Sequence, residues 1–350
     1  GERAQMTTTS QWPDETRLAA WMDRNVAGFQ GPVTLSKFEG GQSNPTFRVD
    51  APSGRYVLRR KPLGPVLPSA HAVDREFRVL EAMKRGGVPV ANVRALCQDP
   101  DVLGSDFYIM DFVEGRVFWD PRLPDMTAGE RSSIFSSMNE TIAQIHSLDP
   151  DAIGLSGFGR KEDFLKRQIS RWTRQYEAAR MDANPAMDGL IAWLPDHVPA
   201  EHPVRVVHGD YRMDNVLIHP TEPKVIAVLD WELSTLGNPI ADFAYHMLSW
   251  YFSADLFRGM AGEDLVALGI PEEREYLEMY LARTGLEPPE DWQFYIILSM
   301  FRIASILQGI AKRAHDGSAA NADAVEIGAK AGPISELAWR MVQSRDGGPR

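Results

Sequence analysis

The apolar pattern of this 350-residue chain changes period part-way along, and that change limits the folds open to it. Up to residue 112 the chain reads as short β-type runs around one helix; beyond residue 125 apolar residues recur at helical spacing over long stretches. Runs at 33–38, 46–49 and 55–60 predict an antiparallel meander, with Asp50-Ala51-Pro52-Ser53-Gly54 as its second turn. Val73, Phe77, Leu80 and Met83 place a helix over 71–85, stopped by Gly86-Gly87, and two more strands follow at 93–97 and 107–110. Asp111 to Gly115 is a short way out of that sheet. The expected organisation is a 1–30 segment with a helix, a 31–112 sheet lobe and a larger, mainly helical 113–345 lobe, an α+β bilobal fold.

In the second lobe Thr127 and Glu130 fit a capping box ahead of a helix running to Leu148. Further helices are expected at 161–180, 239–252, 272–284, 290–314 and 322–343. Between them lies an island of β signal at 204–207, 216–218 and 225–229. Composition narrows the function classes. With 44 % apolar and 24 % charged residues the chain has an ordinary globular mix, which argues against disordered, collagen-like and coiled-coil readings. The 48 acidic and 37 basic side chains leave a charge of −11, so neither nucleic acid nor an anionic membrane is an expected partner. Cys97 stands alone, which excludes a disulfide framework or a Cys-rich zinc site and fits a reducing, cytoplasmic setting. No stretch approaches the roughly 18 consecutive apolar residues of a spanning helix; 294–301, the richest, is interrupted by Ser299 and followed by Arg302. Residues 1–10 carry no apolar signal region.

The densest polar cluster is His208-Gly209-Asp210-Tyr211-Arg212-Met213-Asp214-Asn215, followed after one hairpin by Asp230-Trp231-Glu232. Taken singly, an aspartate beside a strand is a turn residue or a helix cap. Here Asp210 and Asn215 follow one β run and Asp230 ends another, so three oxygen-bearing side chains can meet at one edge. That donor set suits Mg²⁺, a hard cation that takes oxygen ligands and bridges carboxylates to nucleotide phosphates. A carboxylate left off the metal can orient a hydroxyl and accept its proton.

At these residues the chain resembles the kinase-like phosphotransferases, and its His-Gly-Asp form, with Asn238-Pro239-Ile240-Ala241-Asp242-Phe243-Ala244 downstream, is similar to the aminoglycoside phosphotransferase and choline kinase branch. The resemblance covers roughly residues 30 to 250. It implies a protein-kinase-like fold using ATP and Mg²⁺ to phosphorylate a small-molecule hydroxyl. Asp210 would be the catalytic base, Asn215 and Asp230 the metal ligands, and His208 and Asp242 supports of the loop. Gly40, Gly41, Gln42, Ser43 and Asn44 would cover the phosphates, and Arg59, where lysine is usual, would contact them and pair with Glu76. The backbone of Met110, Asp111, Phe112 and Val113 would read the adenine edge. Within the branch, 56–62, 68–73 and Arg167-Gln168-x3-Trp172 resemble the kinase-like domains fused to certain acyl-CoA dehydrogenases, which implies a hydroxyacyl-CoA acceptor.

Two patches speak to acceptor charge, and they disagree. Arg167, Arg171 and Arg174 form a stripe on the 161–180 helix opposite Leu165, Ile169, Trp172 and Tyr176, which suits an anion. Glu263, Asp264, Glu272, Glu273, Glu275 and Glu278 suit a cation such as an aminoglycoside. Two other functions stay open at the level of sequence: a metal-dependent phosphoesterase built on His208, Asp210, Asp230 and Asp242, and a catalytically silent nucleotide binder, for which Arg59 is the hint. Oligomeric state is not legible.

Overall fold

The computed structural model describes residues 12–38, 45–63, 72–317 and 322–345. Helix α1 (Glu15–Asn25) starts where the Asp14 carboxylate accepts the Arg17 N–H at 2.9 Å, a side-chain cap on an otherwise unpaired helix donor. Strands β1 (Thr34–Lys37), β2 (Thr46–Ala51) and β3 (Gly54–Arg60) form the expected meander. Helix α2 (Val73–Arg85) and strands β4 (Val93–Cys97) and β5 (Phe107–Asp111) complete the sheet, in the order β1-β2-β3-β5-β4 with every pair antiparallel.

Strand alternation decides what each sheet face can do. Phe47, Leu58 and Ile109 are register partners on one face and form a small core with Leu18, Trp21 and Met22 of α1. Thr46, Arg59 and Tyr108, and likewise Val57 and Met110, point the other way, toward α2 and the cleft below. One helix is expected on this sheet from the sequence; α1 is a second, on the opposite face.

Past residue 112 the chain enters the helical lobe. Helix α3 (Ala128–Ser147) carries the expected capping box, with Thr127 N–H on Glu130 Oε1 at 3.0 Å and Glu130 N–H on Thr127 Oγ1 at 3.1 Å. Helices α4 (Phe164–Ala179) and α5 (Pro185–Trp193) lead to β6 (Arg205–Val207), β7 (Val216–Ile218), β8 (Val225–Val228) and β9 (Thr235–Gly237), paired β6 with β9 and β7 with β8. Helices α6 (Pro239–His246), α7 (Glu273–Thr284), α8 (Trp292–His315), α9 (Ala322–Gly328) and α10 (Ala331–Arg345) follow. Helix α5 and strand β9 lie outside the sequence expectations. The helix expected over 239–252 tightens into a 3₁₀ turn at Met247–Trp250. The one expected over 322–343 is two helices: Pro333, which cannot donate a backbone hydrogen bond, falls in the first turn of α10. By length and hydropathy α8 could cross a membrane, yet 72 % of its most apolar window is buried here, as in the central helix of a globular core.

A buried polar chain runs through that core. His246 donates from Nδ1 to the Tyr211 carbonyl at 3.2 Å and accepts at Nε2 from the Tyr276 hydroxyl at 2.6 Å. Burial pushes the His246 pKa down to about 4, from an ordinary 6.5. The unfolded chain therefore binds a proton between those values that the folded chain refuses, and stability falls as pH drops from 6.5 toward 4. The loss from this one group between pH 7.5 and pH 5 should be on the order of 2 kcal/mol in urea unfolding. In His246→Asn that part of the pH dependence should vanish; the same pH dependence in both proteins would contradict the assignment.

Candidate active site

The His208–Asn215 segment leaves β6 and returns in β7, and hydrogen bonds fix its shape at nearly every residue. Gly209 has φ +90, and a Cβ there would come within 2.7 Å of the Leu233 carbonyl oxygen, so only glycine fits. Asp242, in the first turn of α6, accepts from His208 N–H at 2.9 Å, Gly209 N–H at 3.0 Å and His146 Nε2 at 2.8 Å. Burial alone would raise the Asp242 pKa, but these hydrogen bonds and the two nearby histidines hold it below the ordinary carboxylate value. His208 accepts the Asp210 N–H at Nδ1 (3.1 Å) and donates from Nε2 to the Leu229 carbonyl (2.8 Å). The Leu229 N–H in turn reaches the Asn215 carbonyl at 2.8 Å. Two segments that are separate in sequence are thereby locked together, and Asp230, with φ +59, turns off the second of them.

Asp210 sits at the centre of this arrangement. Its Oδ1 accepts the Tyr245 hydroxyl at 2.6 Å and lies 3.0 Å from Arg212 Nε; its Oδ2 accepts Asn215 Nδ2 at 3.1 Å. Because the Asn215 amide nitrogen also donates to the Asp210 carbonyl at 2.7 Å, its own carbonyl oxygen is turned the other way. Asp214 pairs with Arg212 at 3.4 Å and Arg258 at 3.7 Å.

Above the loop lies a cavity of about 380 Å³ between the sheet and β7 and β8. Met110, Asp111, Phe112 and Val113 are on its wall, as are Arg59, Glu76 and Asp230. Arg59 Nη1 is 3.2 Å from Glu76 Oε1, and its Nη2 lies 3.8 Å from both Asp230 and Glu232. Both members of the Arg59–Glu76 pair are buried, at 4 % and 2 % exposure, so neither charge tolerates loss of the other. The Asp111 and Phe112 N–H groups already donate to the Asn92 and Arg55 carbonyls, which narrows the reading of a purine edge to the other backbone groups of this segment. Gly40, Gly41, Gln42, Ser43 and Asn44 lie outside the described residues; Phe38 and Thr46, on either side of them, line the cavity.

Residues 34–294 match the profile of the phosphotransferase enzyme family. The chain belongs to that family. It is 45 % identical over 311 residues to acyl-CoA dehydrogenase family member 10 of Mus musculus, covering 88 % of this chain but 29 % of that protein. A crystal structure from Ralstonia eutropha, provisionally described as an aminoglycoside phosphotransferase, is 49 % identical with a TM-score of 0.89, covering 95 % of this chain and 99 % of that one. A ternary complex of the aminoglycoside phosphotransferase APH(4)-Ia with ADP and hygromycin B shares the fold, with a TM-score of 0.58 at 16 % identity over 91 % of this chain and 97 % of that one. The bilobal kinase-like architecture expected from the His-Gly-Asp segment is thus the observed one.

Whether this phosphotransferase suits a divalent cation can be judged from its own atoms. Asp230 Oδ1 is buried and lacks a hydrogen-bond partner, and burial, then Glu232, raise the Asp230 pKa despite the opposing Arg59 charge. Among the described residues no three His, Cys, Asp or Glu side chains cluster for a metal. An Asn215 carbonyl plus an Asp230 carboxylate is nevertheless an ordinary protein share for Mg²⁺, which fills its remaining positions with phosphates and waters. The residues fit.

The arginine stripe separates in the structure. Arg167 donates to the Glu162 and Arg160 carbonyls at 2.9 and 3.0 Å, and Arg174 donates to Ser170 Oγ at 2.6 Å. Arg171 alone lines a pocket beside Gly209, opposite Arg302 of α8. Outside the sequence expectations, Tyr245 and Arg212 contact the Asp210 carboxylate and Arg302 the Gly209 carbonyl. Arg302 left a trace, a charge inside the apolar run of a core helix; Tyr245 left none.

Removing the Asp242 carboxylate strands two backbone donors and His146 in the core. Asp242→Ala should cost about 3 kcal/mol or more in denaturant unfolding. A loss below about 1 kcal/mol would show that the cradle is dispensable.

Proposed function

We propose that this phosphotransferase moves the γ-phosphoryl group of ATP onto a hydroxyl of a small-molecule acceptor. The supporting observation is that Asn215 hydrogen-bonds Asp210 in a loop that His208 ties to Leu229, the residue before Asp230, and that Asp230 lines the cavity whose wall also carries the Arg59–Glu76 pair. Asp210 hydrogen-bonds the acceptor hydroxyl and takes its proton as that oxygen bonds to the γ-phosphorus and the bond to the ADP oxygen breaks. Arg59 presents a charged fork to the phosphates, held by Glu76. Asn215 and Asp230 would hold Mg²⁺, which neutralises phosphate charge. The Met110–Val113 segment sets the adenine end.

A metal-dependent phosphoesterase is less well supported. Asp242 and His208, which such a cluster would need, are both engaged in shaping the loop. The Arg59–Glu76 pair likewise retains the charge that a silent nucleotide binder would have lost.

Asp210→Asn should lower acceptor-dependent ADP release by about 10²–10⁴ while leaving ATP affinity within about threefold, because it removes the base and neither the metal ligands nor the cavity wall. A panel of hydroxyacyl-CoAs, aminoglycosides, choline-like alcohols and sugars supplies the acceptor, and product mass locates the phosphate. Turnover in the variant within a few-fold of the parent would defeat the assignment.

A further inference from the structure

The pocket beside Gly209 has an unusual charge. Arg171 reaches in from α4 and Arg302 from α8, and both guanidinium groups face the ring of Trp172, at 4.9 and 5.3 Å from its centroid. Arg302 also stacks over Tyr245 at 4.5 Å and donates from Nη2 to the Gly209 carbonyl at 2.5 Å, while its Nε is buried without a partner. Among the described residues neither arginine has a carboxylate within ion-pair distance. The acidic side chain on the wall, Asp242, has its oxygens on His146 and the His208 and Gly209 N–H groups. Two like charges held together without a counter-charge favour an anion between them, and the Arg302 charge indeed disfavours that of Arg171 beyond the effect of its partial enclosure.

Four of the six acidic residues that suggested a cationic acceptor are engaged elsewhere. Glu263 pairs with Arg122 at 3.3 Å, Asp264 caps the Ala267 N–H at 3.1 Å, Glu273 accepts Trp292 Nε1 at 2.7 Å and Glu278 pairs with Arg274 at 3.1 Å. None of the six acidic residues lies on this pocket's wall.

We infer that Arg171 and Arg302 form an oxyanion subsite for the acceptor, binding its carboxylate or phosphate group while Trp172, Phe164 and Leu298 receive an adjoining apolar stem. This rests on the phosphotransfer reading for the word acceptor, but the subsite itself does not. Its position follows from contact: Arg302 holds the carbonyl of the residue before Asp210, and Tyr245 links the Arg302 face to the Asp210 carboxylate. The subsite selects for acceptors bearing negative charge close to the reacting hydroxyl.

Calorimetric titration with four probes, hexanoate, hexyl phosphate, hexanol and hexylamine, tests the subsite without turnover. At least one of the two anions should bind about tenfold tighter than hexanol, with hexylamine no better than hexanol, and Arg171→Gln should remove about tenfold of the anion's affinity while ATP affinity stays within about twofold. The preferred anion tells carboxylate from phosphate. That anion should also inhibit acceptor-dependent ADP release competitively against the acceptor and not against ATP. Equal binding of anion and alcohol, no effect of Arg171→Gln, or competition with ATP would each overturn the inference. Loss of activity in Asp210→Asn bears only on the phosphotransfer reading, so the two can fail separately.

Discussion

The His208 imidazole joins two segments that the chain sequence keeps apart. With Asp210 N–H on one ring nitrogen and the Leu229 carbonyl on the other, it sets the start of the Asp210–Asn215 loop against the residue that precedes Asp230. Both partners are backbone groups, so the spacing it imposes is that of the main chain, independent of side-chain rotamers. Asp242 supplies the second constraint from beneath, through the N–H groups of His208 and Gly209. A buried carboxylate accepting several hydrogen bonds is held strongly because any displacement strands both the charge and its donors. The loop is therefore positioned by side chains whose polar atoms are spent on the backbone and on His146.

The sheet lobe contributes through register. Strand period places Arg59 on the same face as Val57 and beside Tyr108, so the cation faces the cavity while Leu58 and Phe47 pack under α1. A one-residue slip would exchange these sets, burying Arg59 in the small apolar core. The Arg59–Glu76 pair gains little net stability from being buried. Its value lies in fixing α2 against β3 at the height where Asp230 and Glu232 approach, 3.8 Å from the same guanidinium.

Much of this was legible because it is local. The loop from His208 to Asn215 is one continuous string, and the family resemblance carries Arg59 on the third strand, Glu76 near the start of a helix and Asp242 just after Asn238-Pro239. The illegible part is what tertiary packing selects. Arg167, Arg171 and Arg174 look equivalent on a helical wheel, yet only Arg171 turns to the pocket, because carbonyls at 160 and 162 and the Ser170 hydroxyl capture the other two. Tyr245 and Arg302 meet Asp210 and Gly209 across 35 and 93 residues, and no spacing rule reaches that far. Strand β9 is three residues long and exists only because β6 pairs with it.

The central claim is that Asn215 and Asp230 hold a divalent ion against a nucleotide while Asp210 stays off the metal. Electron paramagnetic resonance of Mn²⁺ in the presence of a non-hydrolysable ATP analogue tests it directly. Mn²⁺ should bind with the nucleotide to the parent protein and to Asp210→Asn, and should be released in Asp230→Asn. Unchanged Mn²⁺ binding in Asp230→Asn, or its loss in Asp210→Asn alone, would contradict the account.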